Sequence, residues 1–479
     1  MIKTGLLSLA ITSLFNPYFL LPANVQAAGW SLPTTFFQVE QGGNVQSPSL
    51  ITDSGGNLHV LWGAAMTEGQ PMALYYSRWE DDNWTEPVDV LVSPDGGSIW
   101  PFAARVDEND YVHVFWMSGG QLWHSAAHAT QLNDARGWTP PDIIPTDETP
   151  FTTLGLAQDA DGVWYLAYSN RDLDTITLLT SEDGAVSWDN VGVIHQEMRP
   201  DTWVGYPGIV VAPDGALWAS WQEMEPGSGR SKGLAYARSE DGGATWSAPE
   251  QIIAGYYFGG FEVVGDTMVK KYGGGVGTGG RFVSFSEDSG SSWTEPRNIS
   301  AGDGEGAQAI GLVVDSAEDW HFIVETGMTF ARVAWNRDKW STPEFVVSRD
   351  LMQVCCTTPG KVTENAAVGI SDGNHIHVFY EQDNSVLWVT SRELDAPRMV
   401  PQPPSSPHAT QMDSTAADVA VATPMDTPTP VVASTPAPWR GDSRAPTASS
   451  MTFPILLALA PVLLIIGTVM VLQIGRRRQ

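Results

Sequence analysis

The sequence is poor in cysteine and in positive charge. It holds only two cysteines, Cys355 and Cys356, and they are neighbours. Consecutive Cα atoms sit about 3.8 Å apart across a trans peptide, below the usual disulfide range. The one pairing available to them is therefore a strained vicinal bridge, a stiff apolar knob able to press on a ligand. Outside the cell, that bridge and a pair of free thiols are both open. Basic residues number 25 against 55 acidic ones, a net charge of −30. So acidic a surface repels polyanions, which argues against nucleic acid as a partner. What the chain has in abundance is tryptophan, 20 copies, and glycine, 47. Together they suit many short strands, tight turns and a sheet-packed core.

The two ends carry targeting signals. Lys3 precedes an apolar run over 6–21, and Val25-Gln26-Ala27 offers small residues to a signal peptidase. A secretory signal peptide over 1–28 is predicted, and Asn16-Pro17 within it argues against an uncleaved anchor. Residues 453–474 are nearly all apolar and uncharged. At helical rise that stretch spans about 33 Å, against a hydrocarbon core of about 30 Å. Arg476, Arg477 and Arg478 follow, and the positive-inside rule keeps them cytoplasmic with everything before them outside. A membrane helix is thus expected over 452–475, with a basic tail over 476–479. Residues 396–451 are rich in Pro, Ser, Thr and Ala and read as a disordered, extended stalk. The globular head is left as 29–395.

One phrase recurs along that head: Trp, a small hydroxyl residue, a variable residue, then Pro. It occurs at Trp30, Trp84, Trp138, Trp246, Trp293 and Trp340, and Trp188 is a copy without the proline. Successive tryptophans are 54, 54, 50, 58, 47 and 47 residues apart, the drift expected of a repeat architecture. Between them lie Asp/Gly turns followed by apolar strands that start at Leu58, Val112, Trp164, Leu217, Trp320 and Ile376, with a degenerate copy between Phe261 and Lys270. Four short strands per unit make a propeller blade. The fold expected is an all-β, seven-bladed β-propeller, with six blades as the runner-up. Because Trp30 precedes any complete unit and the last unit ends at Glu393 without a Trp phrase, residues 29–39 are expected to supply the outer strand of the final blade and so close the ring.

Three of the turns before Trp are more specific. Ser239 to Trp246 and Ser286 to Trp293 match Ser-x-Asp-x-Gly-x-Thr/Ser-Trp throughout, and Ser181 to Trp188 matches with its glycine one place early, at Gly184. This resembles the Asp-box, or bacterial neuraminidase repeat, of the sialidase-like superfamily. The resemblance implies that Asp183, Asp241 and Asp288 are structural, each bracing the turn between the third and fourth strands on the face away from ligand. It also implies a carbohydrate or glycoconjugate as ligand. The family's active enzymes clamp the sugar carboxylate with three arginines and use a Tyr–Glu nucleophile pair and an Asp acid/base. Their first arginine sits in a Phe/Tyr-Arg-Ile-Pro phrase, and here the corresponding strand reads Ser47-Pro48-Ser49-Leu50-Ile51.

Candidate site residues fall in the loops of the opposite face. Trp100, Trp203, Tyr206 and Tyr257 are candidates to stack on sugar rings. Arg199, Arg230 and Arg349 are candidates to clamp a carboxylate, and Cys355 and Cys356 lie in a long loop of the same face. Glu325 and Glu381 follow two repeated strands at one register, with Glu223 one place further along in the fourth unit. They are expected beside the central channel, as a catalytic acid–base set or as carboxylates holding water or a cation. His59, His113, His321 and His377 share one strand register, which core packing explains better than metal ligation. No metal site or cofactor is called for, with a structural calcium left open. The readings are a monomeric, cell-surface glycan-binding or glycan-processing propeller, an exo-acting sialidase-like glycosidase, or a protein-interaction head.

Overall fold

The computed structural model describes residues 29–99, 102–254, 259–273, 280–300, 309–325, 330–347, 362–382 and 384–404. Every sheet among them is antiparallel, and there are seven. Blade 1 runs Asn44–Thr52, Leu58–Ala65, Ala73–Glu80 and Val88–Val92, and blade 2 runs Phe102–Val106, Tyr111–Ser118, Gln121–His128 and Asp142–Ile144. Blade 3 is Pro150–Gln158, Trp164–Asn170, Thr175–Ser181 and Asp189–Gln196, and blade 4 is Trp203–Val211, Leu217–Met224, Ser231–Ser239 and Glu250–Ala254. Blade 5 is Gly259–Val264, Thr267–Gly273, Arg281–Ser286 and Arg297–Asn298. The weak repeat near Lys270 is therefore a full blade, whose second strand is Thr267–Gly273. Blade 6 is Ala309–Val314, Trp320–Glu325, Phe330–Trp335 and Glu344–Phe345. Blade 7 has Val362–Ser371, His375–Gln382 and Val386–Glu393, and its outer strand is the N-terminal Thr34–Gln38.

The first strand of each blade is the innermost, and around the ring these strands meet one another or a neighbouring blade's second strand. The approach is close enough that a Cβ on Gly369 of blade 7 would lie 2.6 Å from the Leu50 side chain of blade 1. The apolar strands that repeat in the sequence are the second strands, and they are buried along nearly their whole length. Their side chains point alternately into the two neighbouring blades, so both faces are apolar. This corrects one expectation. Glu381 sits on a second strand and is 0% exposed, inside the blade packing instead of on the channel. Glu325 likewise ends a second strand.

The Trp phrase has a single job in every blade that carries it. The hydroxyl residue after Trp exchanges two hydrogen bonds with the third strand. Thr85 N–H donates to Arg78 O at 2.9 Å while Arg78 N–H donates to Thr85 Oγ1 at 2.9 Å. Thr139 with Ala126, Ser247 with Arg238, Thr294 with Phe285 and Ser341 with Ala334 repeat it. The proline two places on has no N–H, so ladder pairing cannot continue through it. Ser31 makes the same exchange with Ser391, at 2.8 and 2.9 Å, across 360 residues. Ring closure is thus one more copy of the repeat.

The Asp-boxes join the third and fourth strands of blades 3, 4 and 5. In blade 4, Asp241 Oδ1 accepts from Ser239 Oγ and Thr245 N–H, both at 2.8 Å, and Oδ2 accepts from Thr245 Oγ1 at 2.6 Å. Asp183 and Asp288 take the same three bonds in blades 3 and 5. Each carboxyl lies below its ordinary range. For Asp241 and Asp288 the cause is the side-chain hydroxyl bond, and for Asp183 burial pushes upward but is outweighed by its hydrogen bonds. The repeated histidines are structural too. His59, His113 and His321 each place Nε2 at 2.9–3.4 Å from an aspartate six residues earlier, Asp53, Asp107 or Asp315. His377 meets Ser371 at 2.9 Å in the same way. Among the described residues no group of three His, Cys, Asp or Glu is placed to hold a metal ion.

Residues 396–404, which composition assigns to the stalk, run along the face that carries the Asp-boxes. Arg398 bridges Asp82 of blade 1, at 2.6 Å, and Asp372 of blade 7, at 2.9 Å. Met399 N–H donates to Asp372 O and Gln402 N–H to Gly55 O. The predicted membrane span and signal peptide lie outside the described residues. Among the described residues no helix is long and apolar enough to cross a membrane.

The boxes yield a test of backbone geometry. Gly290 has φ +89°, and a Cβ there would lie 2.2 Å from the Trp218 ring. Ala185 occupies the equivalent place in blade 3 with φ +66° and is buried. Gly290→Ala should destabilise the head by about 2–4 kcal/mol, through left-handed strain plus overpacking. Ala185→Gly should change stability by less than about 1 kcal/mol, since relief of strain offsets the lost methyl packing. Thermal unfolding of the two variants beside the parent checks both.

Candidate functional site

Antiparallel order places the blade-to-blade loops and the hairpins between second and third strands on the face opposite the Asp-boxes. On that face, at the junction of blades 3 and 4, a polar cluster is built from four segments. The fourth strand of blade 3 contributes His195, and the loop that leaves it contributes Glu197 and Arg199. The second strand of blade 4 contributes Glu223 and the fourth strand contributes Gln251. The loop is pinned by Lys232, whose Nζ donates to Asp201 O, Asp201 Oδ2 and Thr202 Oγ1 at 2.8–3.0 Å.

Arg199 organises the cluster. Its Nε and Nη2 fork onto Glu197 at 2.9 and 2.6 Å, and the same Nη2 donates to Glu223 Oε1 at 2.5 Å. Gln251 Nε2 donates to the second Glu223 oxygen at 3.0 Å. Both carboxylates are almost fully buried, while the arginine side chain is 49% exposed. Two oxygens bound to one nitrogen at these distances lie no more than about 5 Å apart. Burial pushes the Glu197 carboxyl upward, yet the Arg199 side-chain and backbone hydrogen bonds outweigh it and hold it at about 2. Those carboxylate bonds in turn raise Arg199. His195 is pushed down by burial, with the Glu197 charge opposing, and stacks on Trp221 at 4.7 Å. One cation against two carboxylates leaves a site of net negative charge whose exposed element is a guanidinium face.

Of the residues singled out from sequence, the structure brings Arg199 and Glu223 into contact. Trp203, half-buried, opens the first strand of blade 4, and its Cα pairs with Met224 beside the Glu223 position. Arg230 ends the exposed 225–230 hairpin of the same blade and makes no ion pair among the described residues. Tyr206 lies on a bulge of the first strand, with φ +54° and 38% exposure. Glu381 is in blade 7, away from this junction, and Glu325 ends the second strand of blade 6. Trp100, Tyr257, Arg349, Cys355 and Cys356 lie outside the described residues. Sequence reasoning missed Glu197, Gln251 and His195. The signal available was the Glu197–Arg199 spacing in a blade-to-blade loop, where a fork between i and i+2 side chains is sterically easy.

No family model matches the chain, and no curated protein matches it. Solved structures do resemble it. One is a protein of unknown function from Dyadobacter fermentans, 13% identical over 77% of this chain and 99% of that one, with a TM-score of 0.47. Another is a Trypanosoma rangeli sialidase in complex with the inhibitor DANA, 12% identical over 77% of this chain and 60% of that one, TM-score 0.39. A third is a Penicillium chrysogenum alpha-L-arabinanase complexed with arabinobiose, 14% identical over 77% and 99%, TM-score 0.41. Residue roles do not transfer at such identities.

The position of Glu197 has a consequence for acid stability. Its folded-state value, about 2, lies below the ordinary 4.5. The stabilisation is therefore complete above about pH 4.5 and is lost as pH falls towards 2. Glu197→Gln should flatten this part of the unfolding free energy between pH 5 and 2 relative to the parent, as read by denaturant titrations at successive pH values. Seven sheets in succession, with three Ser-x-Asp turns braced alike, make the head a seven-bladed β-propeller.

Proposed function

We propose that the chain is an exported, membrane-anchored protein whose head binds or processes glycans through the face opposite the Asp-boxes. The observation that carries this reading is the Glu197–Arg199–Glu223 cluster. Sugars are recognised by planar polar groups that donate and accept in pairs, beside aromatic surface. The exposed Arg199 face, the carboxylates beneath it and the neighbouring Trp203 offer that combination, and Arg230 adds an uncommitted guanidinium on the same face. The export signal, stalk and C-terminal apolar span of the sequence support a head held outside a membrane, with the basic tail inside.

The alternative of an exo-acting glycosidase draws on the two carboxylates that approach to within about 5 Å across Arg199, the spacing range of a retaining pair. Against it, a carboxyl held at about 2 is ionised at neutral pH and cannot serve as the general acid. Arg199 is also already committed to two carboxylates, which leaves it unsuited to seize a third. Within this cluster, binding is the better-supported role. A protein-interaction head is the remaining reading.

A glycan array probed with the purified full-length protein tests the proposal. Binding to a defined set of glycans is expected, weakened about tenfold or more by Arg199→Ala, since removal of the arginine leaves two buried carboxylates unpaired. A parallel panel of fluorogenic sialosides, fucosides and arabinosides separates binding from hydrolysis. Turnover abolished by Glu223→Gln would move the assignment to the glycosidase. Silence on both would favour the protein-interaction head.

A further inference from the structure

A cavity of about 270 Å³ opens between the first strands of blades 4 and 5, one blade junction away from the Arg199 cluster. It exists because two of its wall positions lack side chains. A Cβ on Gly208 would lie 3.1 Å from Ser220 Oγ, and one on Gly260 would lie 3.0 Å from the same atom. The strand bulge between Gly205 and Gly208 removes Tyr206 and Pro207 from the ladder and puts Tyr206 on the wall, in a left-handed conformation that non-glycine residues seldom adopt.

The polar content is specific. Ser220 is 3% exposed and lines the cavity, and its Oγ is the atom that a side chain at Gly208 or Gly260 would crowd. A hydroxyl that faces a cavity can donate to and accept from a ligand hydroxyl. Lys271 also lines the cavity, but its ammonium is paired with Glu262, so the charge there is cancelled. The remaining wall is apolar, with Trp218 and Phe261 set edge to face at 5.2 Å. A neutral cavity with one polar side and one apolar side, about the size of a single ring, matches a sugar ring, which presents hydroxyls at its edge and C–H groups on its face.

We propose that this cavity is a binding site for one neutral monosaccharide unit, with Ser220 as its buried hydrogen-bonding partner. The site requires neither Arg199 nor Glu223 and is distinct from the cluster at blades 3 and 4. Saturation-transfer NMR on the full-length protein in detergent tests it, with glucose, galactose, mannose, fucose and N-acetylglucosamine as neutral probes and glucuronic acid and sialic acid as charged ones. At least one neutral ring should bind. Ser220→Ala should weaken it about fivefold, the value of one hydrogen bond, with an unchanged thermal midpoint. Gly208→Ala, which pushes a methyl into the cavity, should abolish it, and Arg199→Ala should leave it intact. The proposal is overturned if no neutral ring binds, if only the charged probes bind, or if binding persists unchanged in both the Ser220 and Gly208 variants. Loss through Arg199→Ala alone would also overturn it, by assigning the signal to the other site.

Discussion

The head depends on the reciprocal pair of hydrogen bonds between the residue after each repeated tryptophan and the third strand of its blade. Closing a loop of this length costs about 5 kcal/mol in chain entropy. The Ser31–Ser391 exchange and the pairing of Thr34–Gln38 with the last strand hold the two ends together against that cost. Without them blade 7 would lack its outer strand and expose an edge. The apolar second strands of blades 1 and 7, which bury Trp62 and Phe379 against one another through Phe36, would lose their mutual cover. Every face, loop and site described above inherits its position from this closure.

Within that ring, the Asp-boxes and the Asp–His pairs divide the labour of bracing turns. Both kinds use an aspartate to accept several turn N–H or hydroxyl groups, and both sit on the same end of the blades. At the opposite end, the described loop between blades 3 and 4 is built differently, from polar side chains that pair with one another. Arg199 and Lys232 each tie segments of blades 3 and 4 together. A rigid, repetitive floor and a varied upper rim is the arrangement from which ligand sites are readily made.

The repeating features were legible in the sequence because they arise from local rules applied seven times. Trp spacing gave the blade number, the surplus Trp30 gave the closing strand, and the Ser-x-Asp pattern gave the boxes, even with the displaced glycine that leaves Ala185 at positive φ. What was not legible is what the repeats do not encode. Glu223 was singled out, but its partners Glu197 and Gln251 are one loop behind and one strand beyond it in the chain. Glu381 was expected beside the channel because it follows a repeated apolar strand, at the register it shares with Glu325, that reads as an inner one. The repeated run marks a strand buried between blades, whereas the strands that line the axis are interrupted by glycine and half-exposed, and leave a fainter pattern. The cavity at Ser220 was invisible for a similar reason, since it is defined by side chains that are missing.

The path of residues 396–404 has a mechanical meaning. The chain does not peel directly from the last strand of blade 7. It first crosses the seam of the ring, held by Arg398 to both flanking blades and by Gln402 to the turn of blade 1. A tug on the chain beyond Pro404 is therefore borne by those contacts before it reaches the closing strand, and it is shared between the first blade and the last. The join between chain ends, the place where a propeller would unzip, is thereby shielded from the load.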